Sequence, residues 1–92
     1  MTEEDLARLV QGISEQIDAF PDPEKLTKEE KTQKMVLQLR LEALKKIQSA
    51  QEKGSWYQEM RASIDYTLLT KYGEKHPFLM NFIKSQIGWY GF

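Results

Sequence analysis

From Thr27 to Lys53 the chain reads TKEEKTQKMVLQLRLEALKKIQSAQEK, with no glycine and no proline. Its interior is mostly Lys, Glu, Gln, Leu, Ala, Met and Arg, residues that lose little rotamer freedom in a helix. Thr27 and Glu30 have the spacing of a capping box, in which hydroxyl and carboxylate each satisfy an orphan backbone N–H. Gly54 follows as the left-handed residue that commonly ends a helix. At about 1.5 Å per residue this single helix spans roughly 40 Å. A chain of 92 residues must therefore be built around it.

Stepping about 100° per residue separates the faces of this helix. Leu26, Val36, Leu37, Leu39, Leu41, Ala43, Leu44, Ile47 and Ala50 fall on one arc. That arc covers about 200°, wider than one neighbouring helix needs. Lys28, Lys31, Lys34, Lys45, Lys46 and Lys53 fall opposite. The pattern predicts a central helix covered by two others, with excess apolar arc if its neighbours are shorter. Arg40 is the exception, placed beside Val36, Leu44 and Ile47. A buried guanidinium needs a carboxylate, backbone carbonyls or an exit to water. Glu15 and Asp18 are the expected partners.

A first helix is predicted from Glu3 to Ala19. Thr2 caps it, and Glu3, Glu4 and Asp5 suit the positive end of its dipole. Leu6, Leu9, Val10, Ile13, Ile17 and Phe20 form a narrow stripe that packs on one neighbour. Phe20-Pro21-Asp22-Pro23 ends it, because residues before proline are pushed out of the α region. The short connection makes the first two helices antiparallel neighbours. Residues 1–24 hold seven of the 14 acidic side chains and one cation, Arg8. Residues 25–53 hold eight of the 13 Lys and Arg. The two elements should attract each other as a hairpin.

Ser55 and Gln58 open a third helix running to Lys71 or Tyr72, with Gly73 as its stop. Trp56, Met60, Ile64, Thr67 and Leu68 line one side of it and are expected to pack in the core. Tyr57, Leu69 and Tyr72 widen that side, and Tyr66 lies apart. Pro77 is well placed at the first position of a fourth helix. Phe78, Leu79, Met80, Phe82, Ile83 and Ile87 cover most of its circumference, so it should be buried or pack on something outside the chain. Trp89, Tyr90 and Phe92 then close the core or form an interaction patch.

The chain holds one histidine and no cysteine, so disulfides, thiol nucleophiles and zinc sites of N/S ligands are out of reach. His76 precedes a proline and reads as a helix-entry residue. No phosphate-binding glycine loop is present. No cofactor and no catalysis are expected. The start MTEEDLARLV lacks the basic and apolar runs of a signal peptide, and no stretch approaches a membrane span. The expected setting is cytoplasmic.

The fold class expected is all-α: a single helical domain over 1–92, resembling a small four-helix bundle, with the second helix central. The function expected is a non-enzymatic protein-interaction module that self-associates, for example as a homodimer. Arg40, Phe82, Ile83, Trp89, Tyr90 and Phe92 are its candidate partner-binding residues. The alternative is a small nucleic-acid-binding regulator using Lys31, Lys34, Lys45 and Lys46 along phosphates. Glu30, Glu42 and Glu52 on the same helix dilute that potential, and the net charge of −1 adds no long-range attraction.

Overall fold

The computed structural model describes residues 2–76 together with Phe82 and Ser85. Three α-helices carry these residues: α1 (Glu3–Asp18), α2 (Lys28–Lys53) and α3 (Trp56–Tyr72). A short 3-10 turn, Pro23–Lys25, joins the first two. Phe82 and Ser85 are also helical, but the rest of the expected fourth helix lies outside the described residues. Among the described residues there is no strand, and no helix is long and apolar enough to cross a membrane.

The ends of the helices follow from their caps. The Thr2 hydroxyl accepts from the Asp5 N–H at 3.2 Å. At the start of α2 both halves of the capping box form: Thr27 N donates to Glu30 Oε1, and Glu30 N donates to Thr27 Oγ1, each at 3.1 Å. Gly54 ends α2 at φ 70°, and Ser55 caps α3 through the Gln58 N–H. Gly73 ends α3, but for a different reason from Gly54. Its φ is −55°, an ordinary helical value. A Cβ there would meet the Leu69 carbonyl oxygen at 2.6 Å and Val36 Cγ1 at 3.0 Å. Crowding by the Leu69 carbonyl of α3 itself, and next by Val36 of α2, is what requires a glycine, not a left-handed turn.

α2 is the spine, and the other two helices run antiparallel to it. Glu3 and Glu4, at the start of α1, share a groove with Gln51 and Glu52 at the end of α2. Leu6 and Ile13 of α1 pack with Leu37, Leu44 and Ile47, while Leu9, Val10, Ile17 and Phe20 close round them. On the α3 side, Val36 and Leu39 pack on Leu69, with Leu68 at the edge. Gln51 Nε2 donates to Glu59 Oε1 at 3.1 Å, tying the two helices near their junction. The α1 stripe and the α2 arc are where the periodicity places them. The excess apolar arc expected on α2 does not materialise: from Val36 onward its apolar residues are buried or half-buried, and the preceding turns are mostly polar.

The α1–α2 hairpin is held by this apolar packing and not by ion pairs. Among the described residues no α1 carboxylate pairs with an α2 lysine. Asp5 instead pairs with Arg8 of its own helix at 3.2 Å, where both side chains are exposed. Such a contact adds little to stability.

Candidate interaction surface

The largest departure from expectation is the orientation of α3. Its inward face carries Ala62, Asp65 and Leu69, all buried, with Tyr66 packed on the core. The side expected to pack inward faces out. Trp56 is 72% exposed, Met60 42% and Ile64 49%. Tyr57 and Tyr72 are also exposed. By helical geometry at 100° per residue, the Trp56–Met60–Ile64–Leu68 ridge lies on the side of α3 opposite Ala62 and Leu69.

Alanine explains the inversion. Ala43 and Ala50 on α2 and Ala62 on α3 are all buried. Small side chains let two helices approach closely, so the buried contact does not need the bulk of Trp56 or Met60. Bulk alone misassigns the faces of α3. The signal that identifies the inward face is Ala62 aligned with Leu69, about two turns apart.

The exposed ridge has defined relief. Met60, Ser63, Ile64 and Thr67, with Leu68, line an apolar groove of about 280 Å³. Positions i, i+3, i+4 and i+7 are the four corners of the hole that receives one side chain of a facing helix. At the head of the ridge Trp56 and Tyr57 meet edge-to-face, with centroids 6.3 Å apart. Arg61 Nη1 donates to the Tyr57 hydroxyl at 3.5 Å.

Arg40 sits in a second depression, where the end of α1 meets the first half of α2. Gln16, Phe20, Gln33, Leu37 and Glu74 line it with Arg40. The guanidinium carbon stands 5.5 Å from the centroid of the Tyr66 ring, a cation–π contact. Nε is buried with no hydrogen-bond partner among the described residues. The expected pairing with Glu15 or Asp18 does not form: Glu15 accepts from Gln11 of its own helix at 3.3 Å, and Asp18 is exposed. Both carboxylates belong to the polar side of α1, whereas Arg40 faces its apolar stripe.

The lysine set divides. Lys31 and Lys45 are exposed and Lys34 is half-buried. Lys46 is not on a solvated face: it is 7% exposed, as is Asp65 on α3. Burial pushes its ammonium below the usual lysine range, and the charges of Asp65 and Glu42 work against that shift. Lys46 therefore belongs to the α2–α3 contact and is not available to phosphates along an outer face.

Of the C-terminal candidates, Phe82 is helical and 60% exposed. Ile83, Trp89, Tyr90 and Phe92 lie outside the described residues. His76 is exposed, and its ring tilts against Tyr72 at 6.0 Å. Among the described residues no three His, Asp or Glu side chains are grouped as a metal site would need. Comparisons of the chain with protein-family models, with curated proteins and with solved structures find no match in any of the three.

Proposed function

We propose that this chain is a non-enzymatic helical protein-interaction module that self-associates through the outward face of α3. The observation that carries this reading is the apolar ridge headed by Trp56, which stands 72% exposed. A contiguous exposed apolar patch on a small domain marks an interaction site more often than a neutral surface. Phe82, Ile83, Trp89, Tyr90 and Phe92 extend the reading as further partner-binding residues, and the exposure of Phe82 supports it. Arg40 is the proposed specificity contact, because it lines the depression between α1 and α2. A cytoplasmic setting belongs to the same proposal and rests on the cysteine-free composition. Nucleic-acid binding is the weaker reading, since Lys46 is buried.

The test is solution mass by light scattering over a concentration series at low and high salt. Association that persists at high salt, is lost in Ile64→Glu and is kept in Lys31→Glu/Lys45→Glu supports the module. A chain that stays monomeric, or that associates only with added oligonucleotide at low salt, overturns it.

A further inference from the structure

We infer that the occupant of the α3 ridge is a second copy of the same helix, docked antiparallel about a two-fold axis near Ile64. The inference rests on the self-association proposed above and adds its orientation and register.

Charge decides the orientation. Lys71 is exposed and lies near the middle of the outward arc, between the angular positions of Met60 and Ile64 and close to the C-terminal end of α3. In a parallel pair the two Lys71 ammonium groups would face each other across an apolar seam. In an antiparallel pair centred on Ile64, each Lys71 reaches the Trp56–Tyr57 end of the other copy. Those rings are already set edge-to-face and exposed. An ammonium over an aromatic face is attractive, so one orientation converts a repulsion into a contact.

Shape and area agree with this register. The groove between Met60, Ser63, Ile64 and Thr67 lies at the centre of the ridge, where Ile64 of the second copy arrives. Met60 then meets Leu68 of the other copy, large against partly buried. With aromatic side chains offering about 150–250 Å² each, the exposed parts of Trp56, Tyr57, Met60, Ile64 and Tyr72 leave on the order of 500 Å² per copy. A standard interface takes about 800 Å² per partner. The ridge therefore supplies the apolar centre, and its polar rim the remainder.

The full chain contains no cysteine, so single introduced thiols report the register directly. Under mild oxidation of the full chain, Ile64→Cys should cross-link to itself as a dimer. Lys71→Cys should stay uncrosslinked alone, yet form a mixed dimer with Tyr57→Cys. Lys71→Glu should weaken the dimer about tenfold, the size of a partly shielded cation–π contact. Self-cross-linking of Lys71→Cys, or a dimer in which Ile64→Cys does not cross-link, overturns the antiparallel register and leaves the module reading standing. A chain monomeric at every concentration overturns both. Iodide quenching of Trp56 in a Trp89→Phe background then identifies the cover: a shielded Trp56 in that monomer means that the chain's own C-terminal segment occupies the ridge.

Discussion

Arg40 and Lys46 are two cations on one helix, and their surroundings treat them differently. Arg40 keeps a ring contact with Tyr66 but leaves Nε buried and, among the described residues, unpartnered. A cation–π contact at a half-exposed site contributes about 0.5–1 kcal/mol, whereas an unsatisfied buried donor costs about 1–3 kcal/mol. The cost outweighs the gain, so Arg40→Met should raise stability by about 1 kcal/mol, read as a higher urea midpoint. A lower midpoint would show that Arg40 is satisfied in a way these contacts do not reveal. Lys46 is held by opposite charge in a desolvated place, and its folded pKa lies below the ordinary value of 10.5. Between those two values the unfolded chain holds a proton that the folded chain has released. Stability therefore rises with pH across that window and not below it. The slope is at most about 1.4 kcal/mol per pH unit for one proton. Lys46→Met should lack this rise, so the stability difference between wild type and variant should grow in favour of wild type as pH climbs towards 10.5. A difference that stays flat through that window would sink the assignment.

At the scale of elements, caps and periodicity were legible where local chemistry decides. Thr27, Glu30 and Gly54 mark α2 because backbone groups at helix ends must be satisfied by near neighbours in sequence. The stripe of α1 was legible because a helix with one apolar face has one way to bury it. α3 was not, because apolar residues occur around much of its circumference and the deciding factor is how closely it approaches α2. Ala43, Ala50 and Ala62 are small and buried, and at Gly73 a Cβ would crowd the Leu69 carbonyl of α3 first and Val36 of α2 second. These small residues carry almost no hydrophobic signal, so in the sequence the candidate surface itself, Trp56 to Ile64, looks like core. The close approach has a measurable consequence. Gly73→Ala should destabilise the chain by about 1–3 kcal/mol through overpacking, because its Cβ would meet Leu69 O and Val36 Cγ1. The penalty should shrink in a Val36→Ala background but not vanish, since the Leu69 carbonyl remains. Equal penalties in the two backgrounds would show that α2 does not press on this turn.

For the molecule as a whole, the two apolar systems respond differently to substitution. The inner one is complete within a single chain: Leu6, Leu44, Ile47 and Leu69 are fully buried. Truncating Leu44 to alanine should cost about 2–5 kcal/mol at any protein concentration, as cavity formation does. The outer one has no cover among the described residues, so under the proposed self-association its contribution depends on a second chain. If two copies cover each other, stability per mole of dimer rises by about 1.4 kcal/mol for each tenfold increase in concentration, and the melting temperature climbs with it. Ile64→Glu should abolish that climb while leaving the dilute-limit stability within about 0.5 kcal/mol of wild type, because an exposed side chain contributes little to the single chain. The two substitutions thus separate a fold from its interface. A Leu44→Ala loss that varies with concentration would mean that inner and outer systems form one cooperative unit. An Ile64→Glu loss equal at all concentrations would mean that the ridge is covered within the chain and that no second copy is needed.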